Sequence, residues 1–422
     1  MEYVIIGSGV AAIGAVEGIR QWDATSPITI VSAEPYKVYG RPLISHLLAG
    51  KIHEADIFYR SDDYYDLKGV KLLLGTRATR ILPEKRKVAL SDGRMLPFDR
   101  LLIATGGIPF MPPLAGRDGP DVYTFTTLDD VRKLEALVGK AKKIVVIGGG
   151  LIGLKVSESL HDRGIRVTVV ELADRILSTA FDPIASEIIR KHLTEMRIEI
   201  VLQNSVTEIV RENAHIRAVV LNDGTRRDCE AVVIAIGVVP EISLAEGTGI
   251  KTNSGILTDD FMETSVSGIY AAGDVAEAHD LLLGQRRVTP IWPAAYLQGQ
   301  YAGSNMAGAK IAYRGSIPMN SIEFYGIPTV SIGLSNPVGE NYEVRHVYLP
   351  ERNLYRKIVF KDHLLMGAVL VGRIQRAGIL TGLILNRIDC ESFQEELLKD
   401  DFGLINLPVE VRKKMLTQSP SP

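Results

Sequence analysis

Lys143-Ile144-Val145-Val146-Ile147-Gly148-Gly149-Gly150-Leu151-Ile152-Gly153 is the stretch that decides the fold. An apolar run of strand length, Ile144–Ile147, meets a glycine turn, and a helical pattern then runs to Asp162. Gly148 permits a tight turn, Gly150 lets backbone approach a pyrophosphate, and Gly153 lets the helix pack on the strand. The helix start offers N–H groups and a partial positive charge to the diphosphate. Gly164 ends the helix, Val167–Val170 reads as the next strand, and Glu171 follows it. That carboxylate is placed to accept hydrogen bonds from a ribose diol and to repel a 2′-phosphate, which favours NADH over NADPH. Arg175, close behind, reads either as a solvated face residue or as a cation that offsets that repulsion. A glycine string alone is weak evidence; the strand before, the helix after and the acid beyond make it specific.

The same device opens the chain. Glu2–Ile6 is a short apolar run, followed by Gly7-Ser8-Gly9-Val10-Ala11-Ala12, a helical pattern to about Trp22, a strand over Ile28–Ser32, and Glu34. Gly7, Gly9 and Ala12 take the three small-residue roles, and Glu34 takes the ribose. One bound nicotinamide needs one such site. Two sites in one chain indicate a flavin reduced by a nicotinamide, so FAD and NADH are the expected cofactors.

The two copies are nested rather than tandem. Leu101–Ala104 closes on Thr105-Gly106-Gly107, Val232–Ile236 on Gly237, and Ile269–Ala272 on Gly273-Asp274. The expected fold class is α/β, with two Rossmann-like nucleotide-binding domains, one inserted in the other, plus a C-terminal α+β domain. The expected domains are 1–112 with 245–311 for FAD, 113–244 for NADH, and 312–422 at the C-terminus. Crossings fall near Pro109–Pro113, Pro120–Thr127 and Pro240–Glu246. In the last domain Thr329–Ile332, Glu343–Tyr348, Tyr355–Phe360 and Leu365–Val371 read as antiparallel strands. A tight turn is expected at Lys361-Asp362, a helix over Ile374–Asn386, and disorder in the final Ser and Pro residues.

Composition is that of a globular protein of two or three domains: 422 residues, 46% hydrophobic and 23% charged. A net charge of −2 gives no global attraction to nucleic acid or to an anionic membrane. No apolar run is long enough for a spanning helix. Glu2 stands where a signal peptide would be positive, so a cytoplasmic location is expected. Cys229 and Cys390 form no Cys-x-x-Cys pair, so neither a redox disulfide nor a cysteine-ligated cluster is expected, and no metal motif is present.

Phe98-Asp99-Arg100-Leu101-Leu102-Ile103-Ala104-Thr105-Gly106 and Gly268-Ile269-Tyr270-Ala271-Ala272-Gly273-Asp274 are similar to the two flavin motifs of the pyridine nucleotide-disulfide oxidoreductase superfamily. With the glycine turns, nearly the whole chain resembles the branch of rubredoxin and ferredoxin reductases. That branch also holds the nitrite reductase flavin domain and flavoprotein subunits such as that of phenylglyoxylate dehydrogenase. The resemblance implies that Asp274 accepts a hydrogen bond from the flavin ribityl chain. It implies that Arg41-Pro42-Leu43-Ile44-Ser45 lies along the flavin, with Arg41 at its phosphate or ribityl region and Pro42 at the ring. It also implies that Pro293-Ala294-Ala295, after Trp292, opens a helix whose amides face the pyrimidine and favour negative charge there. Thr105, Gly106, Gly237 and Gly273 close the strands beside the cofactors. Lys361–Gly372 is similar to the C-terminal domain of the rubredoxin reductase and nitrite reductase branch.

Departures from that pattern narrow the chemistry. No cysteine stands near Tyr39–Ser45 and no C-terminal His-Glu pair is found, which argues against disulfide reduction and against a peroxide- or oxygen-reducing oxidase. Relatives often carry Ser-Lys at Ser45-His46 and Glu at Lys155, where the resemblance places the meeting of the two cofactors. The expectation is that Lys155 and His46 are the catalytic pair: Lys155 supplies a positive charge near flavin N5, and His46 stays neutral beside it. The expected function is an FAD-dependent NADH:acceptor oxidoreductase. Its partner would be a redox protein such as rubredoxin, ferredoxin or an iron–sulfur subunit. The alternative is an electron-exchange subunit of a larger complex such as a 2-oxoacid dehydrogenase. A homo-oligomer and a heteromeric complex are both compatible with the sequence.

Overall fold

The computed structural model describes residues 1–417, and the disorder expected for the last Ser and Pro residues lies outside them. The chain is mixed α/β and divides into two compact units. The first comprises Met1–Phe110, Thr126–Arg132 and Gly237–Ser316; the second comprises Met111–Phe125, Lys133–Ile236 and the chain from Ile317 onward.

The first unit is built on a five-stranded parallel sheet. Its order is Ile269–Ala271, Arg100–Ile103, Tyr3–Ile6, Ile28–Val31, Val70–Leu73. Tyr3–Ile6 is buried along its whole length, as a central parallel strand covered on both faces must be. Parallel neighbours need a crossover, and the Val10–Trp22 helix supplies it. That helix packs against the Trp292–Met306 helix at backbone distance. A Cβ on Gly14 would lie 2.2 Å from the Tyr296 carbonyl oxygen, and one on Gly299 would lie 2.0 Å from that of Ala11. Gly18 and Gly303 repeat the contact one turn on, so no larger residue fits this helix pair. Gly107–Pro109 and Val238–Pro240 pair as an antiparallel ribbon where the chain leaves and re-enters the unit. Thr126–Arg132 also returns to this unit: Tyr39 Oη accepts the Leu128 N–H at 3.1 Å, and Asp130 accepts the Thr126 and Thr127 N–H groups.

The second unit carries its own five-stranded parallel sheet. Its order is Glu199–Val201, Arg166–Val170, Lys143–Ile147, Ala231–Ile234, Val122–Tyr123. The Leu151–Asp162 helix is the first crossover. Asp182 caps the Pro183–Glu195 helix by accepting the Ala185 N–H at 3.0 Å, with Pro183 in the first turn. From Ile317 the pattern changes to a five-stranded antiparallel sheet. Its order is Met319–Phe324, Ile327–Gly333, Leu364–Val371, Leu354–Lys361, Glu343–Leu349. The tight turn sits one residue later than expected, at Asp362 and His363, both left-handed at φ 49° and 62°, as a hairpin's native twist requires. The helix after it is shorter than expected, Ala377–Leu385. Tyr355 and Lys357 are buried because Asp182 accepts from both, at 2.6 and 3.1 Å, which ties this sheet to the cap of the Pro183–Glu195 helix.

Candidate dinucleotide sites

In the first unit Gly7 is left-handed, φ 110°, and a Cβ there would meet the Ala104 carbonyl oxygen at 2.1 Å. Gly9 is different. Its φ is −79°, it caps the Val10–Trp22 helix with no side-chain hydrogen bond, and a Cβ on it would meet nothing within 4 Å. The fold therefore demands glycine at 7 but not at 9. A glycine at 9 keeps space open at a helix N-terminus, which is the shape a diphosphate fits. Ala12 is buried in the first turn behind it.

The Glu34 carboxylate accepts the Tyr39 hydroxyl at 2.6 Å and pairs with Arg41. Arg41 also donates to the Thr126 carbonyl at 2.7 Å. Arg41, expected at the flavin's phosphate or ribityl region, pairs with Glu34, seven residues earlier in the chain. Asp274 lies within electrostatic reach of Arg41. Burial pushes the Asp274 carboxyl above the usual carboxylate range, and Arg41 opposes that push. Glu34, Arg41 and Asp274 are thus one electrostatic group. Pro42 is exposed in the Arg41–Leu43 turn, and His46 is exposed in the Ile44–Leu48 helix. Thr105 Oγ1 donates to the Glu241 carbonyl at 2.8 Å, while the Gly106 carbonyl accepts the Glu241 N–H at 2.9 Å. Gly237, φ 130°, accepts the Phe110 N–H at 3.0 Å, so Thr105, Gly106 and Gly237 hold the ribbon of the chain crossing. Gly273 is left-handed at φ 84°. Ala294 is buried in the first turn of the Trp292–Met306 helix, and Trp292 stacks edge-on against Tyr59 at 4.5 Å.

The second unit repeats the glycine logic. Gly148 has φ 109° and a Cβ on it would lie 2.4 Å from the Ala235 carbonyl oxygen; one on Gly153 would lie 2.0 Å from that of Gly148. A Cβ on Gly150 would meet nothing within 4 Å. The Glu171 carboxylate is fixed on the turn by the N–H groups of Gly149 at 2.5 Å and Ala173 at 2.7 Å. Arg175 pairs with Asp174 at 2.8 Å.

Lys155 departs from the expectation. Its Nζ lies 2.5 Å from Glu158 Oε2 and donates to the Glu323 carbonyl at 3.1 Å. Lys155 therefore carries its own counter-ion, and the carboxylate taken to be missing at position 155 is supplied one turn on. Glu158 also accepts the Tyr325 N–H at 3.0 Å. His161 and His192 reach the Tyr325 hydroxyl and carbonyl at 3.1 and 3.0 Å. Lys155 is thus part of a polar seat for the hairpin turn at Tyr325, whose backbone is left-handed at φ 42°. Two features escaped the sequence reading although their spacing was visible: Glu158 at i+3 from Lys155, and the Gly14-x-x-x-Gly18 and Gly299-x-x-x-Gly303 stripes.

Cys229 and Cys390 are buried, and burial pushes both thiols up to about 12. Among the described residues no His, Cys, Asp and Glu group could hold a metal ion, and no helix is long and apolar enough to cross a membrane.

Two glycine cradles, each on its own parallel sheet, define a class of oxidoreductase that handles two dinucleotides. The chain belongs to the pyridine nucleotide-disulphide oxidoreductase family, which matches residues 1–299. Residues 318–388 match the rubredoxin NAD+ reductase C-terminal domain. The chain is accordingly an FAD-dependent NAD(P)H oxidoreductase. It is 30% identical over 421 residues to the NADH-dependent phenylglyoxylate dehydrogenase subunit epsilon of Aromatoleum evansii, covering 99% of this chain and 98% of that one. It is 30% identical over 390 residues to the nitrite reductase [NAD(P)H] of Bacillus subtilis (strain 168), covering 92% of this chain but only 48% of that longer protein. Among solved structures it is similar to the covalent putidaredoxin reductase–putidaredoxin complex, with TM-score 0.88, 26% identity and 98% of each chain covered.

Proposed function

We propose that this chain takes electrons from NADH and passes them through FAD to a redox protein in the cytoplasm. The observation that carries this reading is the pair of open cradles at Gly9 and Gly150, where side-chain space is left at two helix N-termini for no reason of packing. The two nucleotide domains are read as Rossmann-like, 1–112 with 245–311 for FAD and 113–244 for NADH, followed by a C-terminal domain over 312–422.

When bound, FAD supplies a hydride acceptor able to release electrons singly or paired. The chain's own residues do the rest. Gly7, Gly9 and Ala12 admit the flavin diphosphate to the first helix, and the Glu34–Arg41 pair meets the adenosine side. Asp274 accepts a hydrogen bond from the cofactor's ribityl hydroxyls, which offsets its burial. The helix N-terminus at Ala294 stabilises negative charge on the pyrimidine. Gly148, Gly150 and Gly153 admit the second diphosphate. Glu171, pre-oriented by two backbone N–H groups, takes the ribose and disfavours a 2′-phosphate. The acceptor is a rubredoxin, a ferredoxin or an iron–sulfur subunit. The test is NADH-driven reduction of purified rubredoxin and ferredoxin by the isolated chain; failure with both, under conditions where NADH bleaches the flavin, contradicts the free-reductase reading.

A second reading is favoured by one observation. The likeness to a dehydrogenase subunit runs the full length of both chains. In that case the chain is the electron-exchange subunit of a larger oxidoreductase. It would then come out of its own cells with iron–sulfur partners and reduce them rather than a free carrier.

A further inference from the structure

Behind the Gly273-Asp274 turn lies a buried polar group that the flavin reading does not use. Gln298, on the Trp292–Met306 helix, is 1% exposed, and its Oε1 accepts the Gly273 N–H at 2.8 Å. Beyond it stand Tyr313, Ser316 and Asp280, at 4%, 8% and 0% exposure. The side chains of Ser316 and Gln298 face the Tyr313 hydroxyl. Ser316 and Asp280 sit side by side on a β-bridge. The Tyr313 ring is held edge-on against Tyr301 at 5.4 Å. Asp280 Oδ1 accepts the Leu282 and Leu283 N–H groups at 2.8 and 2.9 Å. Its Oδ2 lies 3.2 Å from Arg287 Nε but without the alignment of a hydrogen bond. Among the described residues, the Tyr313 hydroxyl, Ser316 Oγ and Asp280 Oδ2 are three buried polar atoms that no protein group meets with good hydrogen-bond geometry.

Buried polar atoms in folded proteins are satisfied, and where protein groups do not do it an internal water with two to four polar partners does. We propose that Gln298 is a positioning residue of the flavin site, held in place by an internal water that Tyr313, Ser316 and Asp280 bind. Gly273 has φ 84°, and a Cβ on it would meet Ala11 and Ala295 at 3.3 and 3.5 Å, so its turn is clamped between two helices. Within that clamp Gln298 is, among the described residues, the side chain that holds the Ala272–Gly273 peptide plane. Without an acceptor the Gly273 N–H reorients, and the Asp274 carboxyl moves with it. This rests on the reading of Asp274 as a flavin contact.

The experiment compares Asp274→Ala, Gln298→Leu, Gln298→Glu and Tyr313→Phe in the full chain. It measures the FAD dissociation constant, the visible circular dichroism of bound flavin, and the melting temperature of the apo-protein. Gln298→Leu is expected to weaken FAD by roughly tenfold or more and to change the dichroism band, and Gln298→Glu, which keeps the acceptor, to restore both. Tyr313→Phe is expected to weaken FAD about threefold with little change in apo melting, because it removes one of three water partners. Unchanged affinity and band shape in Gln298→Leu, with loss in Asp274→Ala, overturns the positioning role alone. Should Gln298→Leu not fold, Tyr313→Phe with wild-type affinity and band shape overturns it. Unchanged FAD affinity in Asp274→Ala overturns the reading of the turn itself.

Discussion

Lys155 Nζ lies 2.5 Å from Oε2 of Glu158, three residues further along the same helix, and Glu158 is buried. A lysine that reads from sequence as an unpaired cation is one half of an ion pair seated under the C-terminal hairpin. Removing it leaves a buried carboxylate without its ammonium partner. Lys155→Met should lower stability by about 2–3 kcal/mol, less than for a fully buried pair because the lysine is partly exposed. Adding Glu158→Gln to Lys155→Met should recover part of that loss. Denaturant unfolding of the parent, Lys155→Met, Glu158→Gln and the double variant checks it; strictly additive losses would contradict the pair.

The two kinds of glycine should separate cleanly. Gly7→Ala places a Cβ 2.1 Å from a backbone oxygen at a left-handed residue, so it should impair folding. Gly9→Ala and Gly150→Ala place one in open space and should fold as well as the parent. They should differ in binding: Gly9→Ala should weaken FAD and Gly150→Ala should weaken NADH, each by on the order of tenfold, about 1.4 kcal/mol. Calorimetry of each variant with each nucleotide reads this directly. Equal effects of one variant on both cofactors would argue against separate sites.

Asp274 gives a pH dependence with a definite sign. Burial raises its folded-state value above the unfolded one. Its contribution to apo-protein stability is therefore present in full below the unfolded carboxylate value and is lost as pH rises through the raised folded value. At neutral pH the ionised group works against the fold. Asp274→Asn should raise the apo melting temperature at neutral pH, leave it nearly unchanged in mild acid, and weaken FAD. Thermal melts across that range test the sign; a variant less stable than the parent at neutral pH refutes it.

Much of this was legible because the deciding features are local. The turns at Gly7 and Gly148 need left-handed backbone, and only glycine adopts it without strain, so the residue type announces the geometry. The parallel strands, buried on both faces, read as apolar runs. What was not legible depends on partners far away in the chain. Nothing near Thr126–Arg132 shows that it returns to the first unit, because the group that holds it is Tyr39. The pairing of Arg41 with Glu34 was hidden because it requires the intervening chain to double back. The Lys155–Glu158 pair was missed for a nearer reason: Glu158 was visible one turn away, but its burial was not.

The thiols should be bystanders. Both are buried and pushed up to about 12, so neither forms a thiolate at neutral pH. The double variant Cys229→Ser, Cys390→Ser should retain NADH-to-dye electron transfer, and the native chain should resist thiol reagents until it is unfolded. Loss of flavin reduction in the folded double variant would reveal a thiol step.

The most direct test of the central claim is anaerobic titration of the purified, FAD-loaded chain with NADH, followed by the visible flavin band, with NADPH in parallel. The account predicts stoichiometric bleaching by NADH, much slower bleaching by NADPH, and a narrower gap between the two in Glu171→Ala. A flavin that NADH leaves oxidised, or that both nucleotides reduce at one rate, would contradict it.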